Sequence, residues 1–399
     1  MRRIRYGMIG GGQGSFIGAV HRAAMRLDDG WEFVCGALSS TPEKSRASAG
    51  DVGLADDRAY GSWQEMIEAE AKRDADDRME AVVIVTPNHT HAAPAEAALR
   101  AGFHVVCDKP LCTSIEEAET LEKAQAETGL IFAVTYNYSG YPMVKQARRM
   151  VGDGEIGAVR KIIVEYNQGW LATRLEDTGQ KQAAWRTDAS GPNAGGAIGD
   201  IGSHAEQLTR YITRLTPKSM FADLSALVPG RAIDDDANIL LRFNEVGSPA
   251  GPVRAKGVLI ASQVATGRLN DLRIRIFGTE GGLEWNQETP NTLRVDALDG
   301  PTRTFHRGDG GLCAEAKAAT RIPSGHPEGF YEAFANIYRG TRQAILKTQA
   351  RTQARTQSQS EASDEPEIDY PTLDDGVRGV RFIRAAIDHG PNPDAWISL

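Results

Sequence analysis

Over the first third of the chain, short apolar runs are spaced by amphipathic stretches. Residues 4–9, 32–38, 81–86, 104–107 and 131–135 read as strands, and residues 17–27, 42–49, 63–71, 91–101 and 114–128 as helices. Several strands, such as Ala81-Val82-Val83-Ile84-Val85, show no polar alternation. That is the pattern of strands buried on both faces of a parallel sheet. Strand and helix in turn predict a doubly wound α/β domain over residues 1–139.

From residue 140 the pattern changes. One helix over 142–151 precedes a strand over 159–170, a polar loop, and a helix that begins around Asp200. Strand-like segments then follow one another without helices, at 220–228, 236–243, 253–264, 272–277 and 292–298, separated by Gly, Pro and Asn. Such a succession predicts an antiparallel sheet. The glycines of Gly278-Thr279-Glu280-Gly281-Gly282 are expected to form a turn. Residues 140–399 are therefore expected to be an α+β domain on a large, mostly antiparallel open sheet, whose outer face would bury another copy of the chain. A helix over 330–346 carries Phe330, Phe334, Ile337 and Ile345 at helical spacing. The near-repeat from Gln349 to Gln357 and the acidic, Ser-rich tract after it have few apolar residues. Residues 349–366 are expected to be a flexible, solvated segment, with ordered helix returning over 370–387.

The chain has 399 residues, long for one core, which agrees with two domains. Its net charge of −8 argues against nucleic acid or an anionic membrane as partner. No apolar run is long enough to span a bilayer, and the N-terminus runs straight into strand and glycine loop without an apolar signal, so a cytoplasmic protein is expected. Cys35, Cys107, Cys112 and Cys313 have no metal-binding spacing and are expected to be reduced packing residues.

Three motifs carry chemistry. The strand Tyr6-Gly7-Met8-Ile9 runs into Gly10-Gly11-Gly12-Gln13-Gly14 and then a helix. A strand feeding a glycine-rich turn at a helix N-terminus is the dinucleotide fingerprint, in which amide N–H groups hold a pyrophosphate. Gly10 and Gly12 fit its first two positions. Ser15 stands where the third glycine belongs, unless Gly18 fills that role after a three-residue insertion. Asp108-Lys109-Pro110 follows a buried strand, and Asp200 and His204 lie four apart at a helix start, hence on one face. Lysine, aspartate and histidine together can move a proton beside a nicotinamide, the chemistry of a dehydrogenase.

With Thr86-Pro87-Asn88-His89-Thr90-His91, Asn137-Tyr138 and the Gly-Gly-x-x-x-Asp-x-x-x-His block from Gly195 to His204, the chain resembles the glucose–fructose oxidoreductase/inositol dehydrogenase/rhizopine-catabolism (Gfo/Idh/MocA) family over nearly its whole length. The resemblance implies an N-terminal Rossmann domain, a C-terminal domain with an open sheet, NAD(P)-dependent oxidation or reduction of a sugar, inositol or other polyol, and a homodimer or homotetramer. It places the family's catalytic lysine on Lys109, its substrate-binding aspartate on Asp200 and its proton-transferring histidine on His204. Asp108 replaces the usual glutamate. Asn88 falls where the family contacts the cofactor ribose or nicotinamide, and a cis Lys109–Pro110 bond is expected.

Candidate cofactor contacts are thus Gly10, Gly12, Gln13, Gly18, Ser39, Thr86, Pro87, Asn88, His91, Asp108 and Lys109. After the second strand come Ser39, Ser40 and Thr41, with no carboxylate before Glu43 and with Lys44 and Arg46 nearby. An acid there would select NAD through its 2′-hydroxyl, so both NAD and NADP stay open. His89 and His91 alone do not make a zinc site, which needs three or four ligands, and no metal is expected. Lys109, Tyr138, Lys181, Trp185, Arg186, Asp200 and His204 are candidate substrate contacts, since an aromatic face flanked by hydrogen-bonding ends suits a sugar ring; Trp185 in a core and Lys181 in solvent is the alternative. Two other functions are open: a non-catalytic cofactor- and carbohydrate-binding sensor, although such relatives usually lose the lysine or histidine and both remain here, and a redox-neutral, NAD-assisted glycoside-cleaving enzyme, which the same residues would serve.

Overall fold

The computed structural model describes residues 2–188, 194–246, 252–356, 369–390 and 395–399. The first elements are β1 (Ile4–Gly10), α1 (Phe16–Leu27), β2 (Trp31–Ala37), α2 (Pro42–Asp51), α3 (Trp63–Ala71), β3 (Ala81–Val85), α4 (Ala92–Arg100), β4 (His104–Cys107), α5 (Ile115–Thr128) and β5 (Phe132–Val134). The five strands form one sheet in the order β2-β1-β3-β4-β5, every pair parallel. All five residues of the central strand β3 are buried, which explains its unbroken apolar run; each buried Val or Ile contributes about 1.5–3 kcal/mol. Ser114 and Glu117 form a capping box that starts α5.

The chain continues with α6 (Pro142–Gly152), β6 (Lys161–Asn167), α7 (Lys181–Arg186), a π-helical turn (Ile198–Gly202), α8 (Ser203–Thr213), β7 (Pro217–Ser225), β8 (Asp236–Val246), β9 (Val253–Ser262), β10 (Asp271–Phe277), β11 (Gly281–Asn286), β12 (Thr292–Ala297), β13 (Arg303–His306), α9 (Ala314–Ala318), α10 (Phe330–Thr356), α11 (Leu373–His389) and β14 (Ile397–Ser398). Nine strands form a second sheet in the order β13-β12-β11-β10-β6-β9-β8-β7-β14, antiparallel except for β6 beside β9. Helix α8 packs on β6, β9 and β10 and is buried along its whole length. The chain thus has the parallel sheet and the large, mostly antiparallel sheet that its pattern predicts.

Three features differ from the sequence pattern. Gly281 and Gly282 lie in strand β11 instead of a turn; a Cβ on Gly281 would stand 2.5 Å from the Asp296 carbonyl oxygen, so the glycine permits close pairing with β12. Helix α10 runs on to Thr356, through the first eight residues of the segment expected to be flexible, because Ala, Arg and Gln are strong helix formers. Residues 357–366 of that segment lie outside the described residues.

The third difference concerns the domain boundary. The chain divides into one compact unit of Met1–Asn137 with Phe330–Val377, and another of Tyr138–Gly329 with Arg378–Leu399. The late helix α10 belongs to the first unit, where the sequence pattern puts it in the second. Its apolar face explains why. Phe334, Ile337, Tyr338 and Ile345 share one core with Val20, Ala24, Met25 and Trp31. The Trp31 indole donates to the Tyr338 carbonyl at 3.2 Å, and His21 is buried between the Tyr338 hydroxyl and the Phe334 ring. Burial holds the His21 pKa at about 4, so the ring is neutral.

Candidate active site

In the first unit, β1 ends at Gly10, whose φ of +80° begins the glycine turn. Gly18, in the first turn of α1, takes the place of the third glycine: a Cβ there would lie 2.3 Å from the Gly11 Cα. Only glycine lets the helix approach the turn so closely. Ser15 caps the helix, its hydroxyl accepting from the Gly18 N–H at 3.3 Å. The far side of the turn is tied down: Gly12 N–H donates to the Leu38 carbonyl at 3.0 Å, Gln13 N–H to Ser48 Oγ at 3.1 Å, and Gln13 Nε2 to Asp51 at 2.7 Å. The near side is open, with nothing within 4 Å of a Cβ placed on Gly14, and the first turn of α1 holds no acidic residue. An open glycine turn at an acid-free helix N-terminus fits the pyrophosphate of a dinucleotide.

The order β2-β1-β3 puts the reversal of the sheet between β1 and β3, the position at which open α/β sheets bind ligands. The glycine turn and Thr86-Pro87-Asn88 leave these two strand ends side by side; a Cβ on Gly10 would stand 3.1 Å from the Thr86 main-chain nitrogen. Ser39 and Ser40 follow β2, half-buried and exposed respectively.

Beyond β4, the Lys109–Pro110 peptide is cis, as expected. Asp108 shapes this turn. Its Oδ1 accepts from the Lys109 N–H at 2.9 Å and from the Thr135 hydroxyl at 2.8 Å, so the short carboxylate folds back on its own chain. His91 is buried, with Nδ1 3.0 Å from the Pro110 carbonyl and Nε2 2.8 Å from the Thr86 carbonyl. Its ring links the Thr-Pro-Asn segment to the Lys-Pro turn. Burial lowers its pKa, while Asp108 and the carbonyl acceptors pull the other way.

The second unit gathers another set. Asp200 lies in the π-helical turn and His204 in the first turn of α8. Such π turns recur at functional sites because they re-aim side chains. Asp200 Oδ2 accepts from Arg186 Nε at 3.1 Å and Gln263 Nε2 at 2.9 Å. The Tyr138 ring meets His204 edge-on with centroids 4.7 Å apart. The Tyr138 hydroxyl is bonded to the Tyr166 hydroxyl and accepts from Asn270 Nδ2 at 3.2 Å. Tyr166 in turn donates to Asn270 Oδ1 at 2.6 Å, which also accepts from Gln168 Nε2 at 2.7 Å. Burial pushes the Tyr138 phenol up to about 12 and raises Tyr166 too, so both stay neutral.

The expected residues Tyr138, Arg186, Asp200 and His204 therefore fall in one constellation. The side chains of Lys181 and Trp185 lie outside the described residues. Trp170, whose ring faces the Arg186 guanidinium at 6.0 Å, supplies an indole there. Sequence reasoning missed Tyr166, Gln168, Gln263 and Asn270. The signal was a Tyr in phase with the apolar Ile162 and Val164 on an alternating strand, and a polar pair, Asn167-Gln168, at its end.

Residues 4–136 match the model of the oxidoreductase family with an NAD-binding Rossmann fold, and residues 144–284 that of the GFO/IDH/MocA C-terminal domain. The chain belongs to the Gfo/Idh/MocA family of NAD-binding oxidoreductases. It is 31% identical to the uncharacterized oxidoreductase YfiI of Bacillus subtilis, covering 99% of this chain and 97% of that one. The levoglucosan dehydrogenase of Pseudarthrobacter phenanthrenivorans is 29% identical over 74% of this chain and 76% of its own. The crystal structure of an inositol dehydrogenase homolog from Azotobacter vinelandii complexed with NAD+ superposes with a TM-score of 0.90 at 33% identity, covering 100% of this chain and 98% of that one. Among the described residues no helix is long and apolar enough to cross a membrane, and no group of three or more His, Cys, Asp or Glu is placed to hold a metal ion.

Proposed function

We propose that the protein is an NAD(P)-dependent dehydrogenase that oxidises a secondary alcohol of a sugar, inositol or related polyol, or reduces the corresponding ketone. The observation that carries this reading is Asp200, held by two donors, together with His204 under the Tyr138 ring on one short helix start. A relative named as a levoglucosan dehydrogenase and a solved inositol dehydrogenase homolog support the substrate class.

A bound nicotinamide would supply the acceptor for the hydride that leaves the substrate carbon. His204 takes the hydroxyl proton, so that carbon and oxygen are left as a carbonyl; general acid–base work of this kind suits an imidazole. The Lys109 ammonium stabilises the developing alkoxide. Asp200 orients the substrate by accepting from a neighbouring hydroxyl, and the neutral Tyr138 phenol beside His204 adds no charge there, which suits an uncharged polyol. The glycine turn, with Gly10, Gly12 and Gln13, would hold the pyrophosphate, and Ser39, Thr86, Pro87, Asn88 and Asp108 would be the other cofactor contacts.

The test is the absorbance of reduced nicotinamide when purified protein is given NAD or NADP with a panel of inositols, aldoses and anhydro sugars. A substrate-dependent rise is expected for one class. Silence across the panel with cofactor bound would overturn the reading in favour of a sensor. Reducing sugar released without net reduction of the cofactor would overturn it in favour of glycoside cleavage.

The outer face of the second sheet supports self-association in the same reading. Phe221, Leu240, Val258 and Ile163 stand side by side across β7, β8, β9 and β6, and Leu240 is 47% exposed. An apolar stripe on an open sheet suits a second copy of the chain. Leu240→Arg is expected to shift a dimer or tetramer to smaller species in light scattering, and an unchanged mass would exclude this face.

A further inference from the structure

Asp234 and Asp235 lead into β8, whose first residue, Asp236, is a third carboxylate in the row. Asp234 faces the start of the segment that bears Asp200 and His204. Its Oδ1 accepts from the Gly196 N–H and its Oδ2 from the Ile198 N–H, both at 2.8 Å. Its main-chain oxygen accepts from the Ala197 N–H at 2.9 Å. One residue thus satisfies three consecutive amides that have no partner within their own helix. The approach is so close that a Cβ on Gly196 would lie 1.8 Å from the Asp234 carbonyl oxygen, which gives the Gly195-Gly196 pair a reason. The Asp200 N–H itself donates to the Gly196 carbonyl at 2.9 Å, so Asp200 hangs directly on this clamped segment.

The next residue supports Asp200 from the other side. The Asp235 carbonyl accepts from the Gln263 N–H at 2.8 Å, and the Gln263 amide donates to Asp200 Oδ2 at 2.9 Å. Asp235 is itself fixed by the Leu227 N–H at 2.7 Å, the Val228 N–H at 3.1 Å and Arg231 Nη1 at 2.9 Å. Main chain and side chain of Asp200 are therefore both referred to one dipeptide far away in sequence.

We infer that Asp234 is a positioning residue: it clamps the amides of Gly196, Ala197 and Ile198 and so holds Asp200 and His204 in the arrangement that turns over substrate. The inference rests on the reading of Asp200 and His204 as the proton-handling pair. Without the carboxylate, a Gly-Gly segment with wide conformational freedom would set the aim of both side chains. A misplacement of about 1 Å at a reacting group costs about a hundredfold in rate.

The experiment compares full-length wild type, Asp234→Ala, Asp234→Asn and His204→Ala. It reads kcat and KM on the polyol found active, cofactor affinity, and hydrogen–deuterium exchange of the peptide 194–206. Asp234→Ala is expected to lower kcat about a hundredfold, to speed exchange of the amides at 196–200, and to leave cofactor affinity unchanged. Asp234→Asn keeps one acceptor oxygen and is expected to recover part of the rate. Normal kcat and normal exchange in Asp234→Ala would overturn the inference. So would an equal loss in both Asp234 variants with cofactor affinity falling alongside, which would mark a general folding role. His204→Ala with wild-type turnover would instead sink the proton-handling reading, and the exchange of the 194–206 peptide would still decide whether Asp234 is the clamp.

Discussion

His204→Ala is expected to lower kcat by about 10²- to 10⁴-fold, the usual contribution of a positioned general acid–base, without weakening cofactor binding. The ring sits buried at the start of α8, edge-on to Tyr138 and 6.1 Å between centroids from Tyr166. Neither phenol is poised to replace it as base, because burial keeps both protonated. Lys109→Ala is expected to cost about 10²- to 10³-fold through loss of charge stabilisation at the alkoxide. Its backbone is well prepared for an aimed ammonium: Asp108, Thr135 and the His91–Pro110 contact all fix the turn on which it stands. Lys109→Arg keeps the charge and changes its shape, so it should not restore the rate. The double variant should be about as slow as the slower single one, since groups acting on one proton transfer are not additive. Steady-state rates with cofactor affinity measured separately check all four. Near-wild-type turnover in folded His204→Ala or Lys109→Ala would remove that residue from the chemistry.

How much of this was legible in the sequence depended on the range of the interactions. The parallel sheet was readable because Ala81–Val85 and its neighbours are apolar on both faces, a property of each strand alone. The glycine turn and the Lys-Pro motif were readable because they are local. Gly18 is a partial case: the ambiguity between Ser15 and Gly18 is resolved only by the contact of Gly18 with Gly11, seven residues away, with Ser15 serving as cap. The return of α10 to the first core was hidden, since a helix with Phe334 and Ile337 on one face does not say which core it faces. The extension of α10 to Thr356 is not visible in hydropathy, because Ala, Arg and Gln favour helix without an apolar face. Asn270, Gln263 and Asp234 were out of reach for a different reason. Each meets its partner across scores of residues, and nothing in a strand-end Asn or an acidic run states what it will face.

Gly18→Val should abolish cofactor binding at ordinary concentrations while the second unit stays folded. The Cβ alone would be 2.3 Å from the Gly11 Cα and 2.5 Å from the Gly11 carbonyl oxygen. Both obstacles are backbone, so no side chain can move aside, and either α1 retreats from the sheet or the glycine turn deforms. Overpacking of this kind costs about 1–3 kcal/mol, and it falls on the turn whose amides would hold the pyrophosphate. Moving α1 also disturbs Val20, Ala24 and Met25 against Phe334 and Tyr338, so the melting temperature should drop along with affinity. Gly14→Ala is the control: no atom lies within 4 Å of its Cβ position, but its φ of +78° makes any side chain strained there. It should lose about 1 kcal/mol or more of stability and retain cofactor binding better than Gly18→Val. Titration of NAD and NADP by intrinsic fluorescence, run beside thermal melts, separates the two effects. Tight binding by Gly18→Val would mean that the close approach of α1 to the turn is not what shapes the cofactor site.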